Sequence, residues 1–442
     1  RTSGLAAQNL EPAVSRAPSA PARSARRHPL GLLLGVFLLA AAPRLAGVWF
    51  WSSPMAPDSW GYVTPAKNLA LGRGYVDDAG HPLSFRPPTY PLFLAGVFRV
   101  AGVSIGAVEV VQSLLAAAGA AALALWVGRR WGRAAGMTTG ILVALDPILV
   151  PVPAFILTEA LGTVLVVAIV ICLERGLATR RSGLLLLAGL LGGAAALNTP
   201  ITLLLVPWLL LTAWVLGSPA RPGWRAGALA LGLLAVCLGA WSARNYMVRG
   251  EVVVVREGGF GVLVWGTTVY DFNWIPSPLD PGWPELDRKF QALTAGRTGT
   301  EGHSLFLQEA WRNVREHPFL VLKRVLKANF WFWVEAPGSH ISGELRPVRW
   351  VTLGFHLIQL LGFAAAVWAL GRAGLTRAWA LWLSTILYFA LFLSLMFPIP
   401  RYYVPVLPVM DTLIAVGLTR LAGCGGVPRS PGADASPGPG AA

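Results

Sequence analysis

Charge is what this sequence has least of. Only 13% of its 442 residues are charged, against about 25% in an ordinary soluble domain. Acids are the scarcer sign, with 21 Asp and Glu against 36 Lys and Arg. Lysine is scarcer still, confined to Lys67, Lys289, Lys323 and Lys327. The three cysteines (Cys172, Cys237 and Cys424) show neither disulfide nor metal spacing, which leaves out a disulfide scaffold. So little charge rules out a disordered polyelectrolyte. What the chain has instead is 55% apolar residues, with 19 Trp and 18 Phe. They gather into runs close to the ~20 residues that cross a bilayer core. Ten such runs cannot share one soluble core. The sequence encodes an all-α polytopic membrane protein.

The runs lie near 30–51, 105–128, 134–151, 155–173, 183–199, 201–217, 226–246, 350–370, 376–397 and 402–421. A shorter apolar stretch, Pro91–Val103, reads as an interfacial helix or a lead-in to the second span. Leu30–Ala42 reads as part of a retained span rather than a cleaved signal peptide, because Arg44 and more apolar sequence follow it. The net charge of +15 raises a nucleic-acid reading, which the placement of the arginines dismisses. One set of alternate connections holds Arg129, Arg130, Arg133, Arg175, Arg180, Arg181, Arg221, Arg225, Arg372 and Arg377 against the single acid Glu174. The N-terminal tail adds Arg16, Arg23, Arg26 and Arg27. The other set is nearly neutral: 52–104 has four basic and three acidic residues, and 247–349 has twelve and eleven. Excess Arg marks the cytoplasmic side, so the two long loops are expected to face outward.

This divides the chain into a disordered cytoplasmic tail (1–28), a transmembrane catalytic module with the first outer loop 52–104 (29–246), an extracytoplasmic segment (247–349), C-terminal spans (350–421) and a second disordered cytoplasmic tail (422–442). The outer segment is expected to be small and mixed α/β. Short strands are predicted at Val252–Val255 and Gly261–Trp265, and helices at Trp283–Gly296 and Ser304–Phe330. Trp311, Phe319, Phe330, Trp331 and Trp333 are candidates for bilayer-interface packing, with an acceptor lid as the alternative.

Ionisable groups in apolar segments are costly and mark function. Arg44 lies in the outer part of the first span, and Asp58 follows just past the membrane edge. Their bland readings are an arginine snorkelling to the interface and an N-cap for a helix over Tyr62–Leu71. Arg86 stands in the proline-rich Arg86-Pro87-Pro88-Thr89-Tyr90-Pro91, whose rings would hold it stiffly. A guanidinium there suits phosphate oxygens. Glu159 opens the fourth span with no neutralising neighbour in sequence, and Arg401-Tyr402-Tyr403 stands at the outward end of the last. Arg44, Asp58, Arg86, Glu159 and Arg401 are therefore all expected at one outer face. An acid among several arginines at a membrane face fits catalysis on an anionic, lipid-anchored substrate.

These residues resemble the GT-C superfamily of membrane glycosyltransferases. Arg44-Leu45, Pro57-Asp58 with Tyr62, Arg86-Pro87-Pro88-Thr89-Tyr90-Pro91, Leu157-Thr158-Glu159, Arg244-Asn245-Tyr246 with Gly250, Glu316-His317-Pro318 and Arg401-Tyr402-Tyr403 with Pro405 follow the family's order across most of the chain. The nearest families are the dolichyl-phosphate-mannose protein mannosyltransferases and the aminoarabinose transferases. The resemblance implies Asp58 as catalytic base, a sugar on a polyprenyl phosphate as donor, and Arg86 at the donor phosphate. The sequence departs from the pattern at Ser59, where family members often carry a second acid.

Chemistry supplies the remaining roles. Displacing a lipid phosphate from an anomeric carbon needs a base and a cationic cradle for the leaving group. Arg44, Arg86 and Arg401 are candidates for the cradle, and Glu159, Tyr62 and Tyr402 for substrate contacts. No cofactor is called for. A divalent metal at Asp77, Asp78 and His81 competes with a plain turn. The expected partners are the bilayer, the lipid-linked donor and a protein, glycolipid or polysaccharide acceptor. The rival reading is a lipid or glycolipid transporter, which would place its polar site near mid-membrane.

Overall fold

The computed structural model describes residues 29–50, 55–56, 58–257, 267, 283–295, 299–334, 349–374, 379–396 and 400–423. Both tails, the run Gly261–Trp265, His340 and Cys424 lie outside them, apart from residues 422–423 of the second tail.

Apolar stretches without β-branched alternation become helices. In chain order the described helices are α1 (Pro29–Phe50), α2 (Trp60–Ala70), α3 (Thr89–Ala101), α4 (Ile105–Trp131), α5 (Arg133–Leu145), α6 (Glu159–Thr179), α7 (Ser182–Ala196), α8 (Leu205–Leu216), α9 (Trp224–Arg249), α10 (Trp283–Thr294), α11 (Gly299–Glu316), α12 (Pro318–Val334), α13 (Arg349–Arg372), α14 (Ala380–Leu395) and α15 (Leu407–Leu421). Six helical stretches of the described residues are long and apolar enough to cross a membrane. The protein is a multi-pass membrane protein.

The bundle is held by small residues and by a few buried polar struts. Helix α1 packs on α4 and α5, α6 on α7, and α13 on α15. At Gly136 a Cβ would come within 2.5 Å of the Ala124 carbonyl oxygen, so α4 and α5 approach as closely as they do only because no side chain stands there. Gln112 in α4 donates to the carbonyls of Pro153 and Phe155 at 2.9 and 3.1 Å and accepts from the Tyr90 hydroxyl at 2.8 Å. That strut ties α3 and α4 to the irregular segment that leads into Glu159.

The outer segment departs from the mixed α/β expectation. Among the described residues there is no strand, only an isolated bridge between Val76 and Pro82. Val252–Val255 is irregular, bending at Val254 and Val255, and is bonded to α9: the Val253 carbonyl accepts from Ser242 and Asn245, and the Val255 carbonyl from the Trp241 indole. Side chains of a helix satisfy the acceptors that a sheet partner would otherwise take. The helix expected over Ser304–Phe330 is two helices, α11 and α12, divided at His317. Pro318 cannot donate into the preceding turn and starts the second helix instead. Trp333 is half-buried: it stacks on Phe363 at 6.3 Å and lies 6.5 Å from Tyr403. Trp311, Phe319 and Phe330 are exposed.

Candidate active site

Asp58 stands in the turn before α2, where Ser59 occupies the N-cap without a side-chain capping bond. The Asp58 carboxylate therefore does not serve the helix. Its Oδ1 accepts from Arg86 Nη2 at 2.6 Å, and its Oδ2 accepts from Arg401 Nη2. Beyond Arg401, its Nε lies 3.5 Å from Glu159 Oε1. The result is an alternating chain of charge, Arg86, Asp58, Arg401 and Glu159, built from four distant stretches of sequence.

Each member has its own scaffold. Arg86 is fixed through its main chain, since the Tyr75 hydroxyl donates to the Arg86 carbonyl at 2.8 Å. Arg244 in turn donates to the carbonyls of Leu83 and Tyr75 at 2.6 and 2.9 Å and staples the loop to α9. The Arg86 guanidinium lies 4.7 Å from the centre of the Tyr62 ring and donates to its hydroxyl at 3.3 Å. Gly61 makes room for it, because a Cβ there would stand 2.9 Å from Arg86 Nε. Glu159 opens α6, with the preceding Thr158 carbonyl held by Asn198 at 3.0 Å. Arg401 enters from the 3₁₀ stretch Pro400–Val406 and lies 5.3 Å from the Tyr402 ring centre.

The site has a definite electrostatic bias. Partial burial opposes ionisation of Asp58, but the hydrogen bonds and charges of Arg401 and Arg86 outweigh it. The carboxyl is held below the ordinary aspartate value. The Tyr62 phenol moves the other way, pushed up by burial despite Arg86, and so remains a hydrogen-bonding hydroxyl. Among the described residues neither Glu159 carboxylate oxygen has a side-chain hydrogen-bond donor, although the side chain is buried and ion-paired. Such a group retains acceptor capacity for a polar ligand.

The structure thus brings Asp58, Arg86, Glu159, Arg401, Tyr62 and Tyr402 to one place. Arg44 is not among them. Its guanidinium donates to the carbonyls of Ala40, Val143 and Ala144 at 2.9, 3.0 and 2.8 Å, and it is 3% exposed. It closes the end of α5 against α1 and has no bond to Asp58. The loop 77–81 is a turn: Asp77 Oδ1 accepts the Ala79 and His81 amides, His81 Nδ1 lies 3.2 Å from Asp77 Oδ2, and Asp78 pairs with Lys67. Among the described residues no three His, Cys, Asp or Glu side chains gather as a metal group.

Residues 85–243 match the family model described as Dolichyl-phosphate-mannose-protein mannosyltransferase. Over that segment the chain is similar to this mannosyltransferase family. Among solved structures, ArnT from Cupriavidus metallidurans bound to undecaprenyl phosphate shares 15% identity over 87% of this chain and 76% of its own, with a TM-score of 0.44. AglB, the archaeal oligosaccharyltransferase from Archaeoglobus fulgidus, solved with an inhibitory peptide and a dolichol-phosphate, shares 13% identity, with a TM-score of 0.49. The chain aligns over 87% of its length with half of AglB. No curated protein matches the chain.

In this mannosyltransferase-like chain the matched segment carries Arg86 and Glu159, while Asp58 and Arg401 lie outside it. One further cation belongs to the neighbourhood and is not among the residues expected from the sequence. The Arg256 guanidinium lies 4.8 Å from the centre of the Phe85 ring, whose centre is 5.0 Å from that of Arg86. Burial and the nearby Arg86 press its pKa down, while Tyr402, Tyr62 and Asp58 act the other way; a guanidinium stays charged regardless. Among the described residues no carboxylate pairs with it, and its Nε reaches only the Glu257 carbonyl at 3.5 Å. Its one signal in sequence is an arginine directly after the apolar Val252–Val255.

Proposed function

We propose that this membrane glycosyltransferase moves a sugar from a polyprenyl-phosphate donor to an acceptor hydroxyl on the extracytoplasmic face, inverting the anomeric centre. The observation that carries the reading is Asp58 held between Arg86 and Arg401. Without substrate the two guanidiniums neutralise the carboxylate and lower its basicity. A donor phosphate entering beside them competes for the same N–H groups, since Arg forks bind phosphate and carboxylate alike. As Arg86 and Arg401 turn to phosphate oxygens, Asp58 loses its cationic partners and its pKa rises. Donor binding would thereby produce the base that the reaction needs.

Asp58 then takes the proton of the acceptor hydroxyl. The acceptor oxygen forms a bond to the anomeric carbon, and the bond from that carbon to the phosphate oxygen breaks. The lipid phosphate leaves with the electron pair, stabilised by Arg86 and Arg401, with Arg256 as the third cation. In this reading Glu159 and the hydroxyls of Tyr62 and Tyr402 contact the sugar. Because Arg401 contributes, the catalytic unit extends beyond 29–246 into the C-terminal spans. The outward side follows from the Arg-rich opposite connections. The experiment is transfer of labelled sugar from a polyprenyl-phosphate donor in sealed vesicles of both orientations. Transfer that survives Asp58→Asn, or movement of donor across the bilayer without transfer, would overturn the proposal.

A further inference from the structure

The far end of α6 holds a second polar feature. Twenty-one residues separate Glu159 from Thr179, inclusive, and a helix of that length spans about 31 Å. Where α6 ends, a cavity of about 550 Å³ opens between the last turn of α6, the start of α7, and the loop and first turns of α9. Arg180, Arg221 and Arg225 line it, and no acidic residue does. No ion pair is formed by these three arginines among the described residues, and the Arg225 guanidinium only rests 5.4 Å from the Trp224 ring centre. Two helices begin at this cavity, α7 at Ser182 and α9 at Trp224, and neither N-cap residue, Arg181 or Gly223, makes a side-chain capping bond. Their first amides and dipoles add to the positive field of the guanidiniums.

The three arginines are solvent-exposed, and together they offer an arriving phosphate several charge-assisted hydrogen bonds. The volume falls in the range of small-molecule sites, enough for a phosphate with its substituent. The other wall is apolar, formed by Leu177, Leu185 and Leu229. Trp224, 79% exposed, lines its mouth, where an amphipathic ring suits the level of lipid headgroups. We infer that this cavity binds the phosphate headgroup of an anionic membrane lipid, on the side of the bilayer opposite Asp58. An apolar wall beside a basic mouth suits a lipid better than a free phosphate, which would have no use for the leucines.

The test is titration calorimetry on the full chain in detergent with three probes: a short-chain phosphatidic acid, a short-chain phosphatidylcholine and inorganic phosphate. Phosphatidic acid is expected to bind at least tenfold more tightly than either of the others. Arg221→Gln with Arg225→Gln should weaken it tenfold or more, and so should Ala226→Phe, which fills the cavity and keeps every charge. Arg372→Gln, on another basic connection, should leave binding unchanged. If the double variant does not fold, Ala226→Phe decides the matter alone. Equal affinity for inorganic phosphate would overturn the lipid assignment. Equal affinity for phosphatidylcholine, or phosphatidic acid binding unaffected by the cavity variants, would overturn the site itself.

Discussion

Arg44 and Arg401 look alike in sequence, since each is a lone arginine at the edge of an apolar run. In the folded chain they do opposite things. Arg44 is sealed against three main-chain carbonyls, that of Ala40 within α1 and those of Val143 and Ala144 in the last turn of α5. Arg401 meets two carboxylates, Asp58 and Glu159, and can exchange such a partner for another anion. A guanidinium bonded to carbonyls is committed to holding the bundle together, because releasing it strands polar groups in an apolar medium. A guanidinium bonded to a carboxylate that is one-third exposed can move at small cost. In the proposed mechanism, what separates the structural arginine from the functional one is the kind of oxygen it meets.

The contrast can be broken most forcefully at Asp58. Asp58→Asn should lower transfer by roughly 10²- to 10⁴-fold, the usual contribution of a general base, while the purified protein still folds. Arg44→Gln should do the reverse. Stranded carbonyls cost about 1–3 kcal/mol each, so thermal unfolding in detergent should come markedly earlier, with turnover per folded molecule preserved. An Arg44 variant that melted normally and lost donor binding would erase the distinction.

Smaller effects sharpen it. Arg401→Lys keeps the charge but cannot bridge two carboxylates with a planar fork. The expected result is a KM for the lipid donor raised about tenfold, within the ~1.4 kcal/mol of one charge-assisted hydrogen bond, with a lesser change in kcat. Gly61→Ala places a methyl 2.9 Å from Arg86 Nε. It should shift the guanidinium and lower transfer severalfold, and a second substitution at Arg86 should add little to it. The smallest effect is in acid. The folded Asp58 carboxyl lies below its ordinary 3.8, so the clamp's contribution to stability is complete above that pH and is lost as pH falls through the lower folded value. Melting curves of wild type and Asp58→Asn should accordingly converge below pH 3.8 and differ above it.

Much of this architecture is legible in the sequence, for a physical reason. Runs such as 105–128 and 226–246 are so apolar that only a bilayer can host them, and each emerges as a helix, α4 and α9. Val252–Val255 is ambiguous in a linear string because β-branched residues suit a half-buried backbone, whether its partner is a strand or the side chains of α9. The break at Pro318 follows from proline chemistry, although helix-forming residues on both sides of it suggest one continuous element. Arg256 is hidden in a loop whose charges balance.

Composition by itself determined that the chain crosses a membrane repeatedly and, through its arginines, which connections are the basic ones. Hydrophobic transfer and charge placement act locally and additively, so they survive in a linear string. Which arginine meets which acid was decided only in three dimensions. Asp58 and Arg401 are 343 positions apart, and their pairing depends on how six or more helices pack before either side chain has a neighbour. The same packing removed Arg44 from the group by offering its guanidinium three carbonyls first.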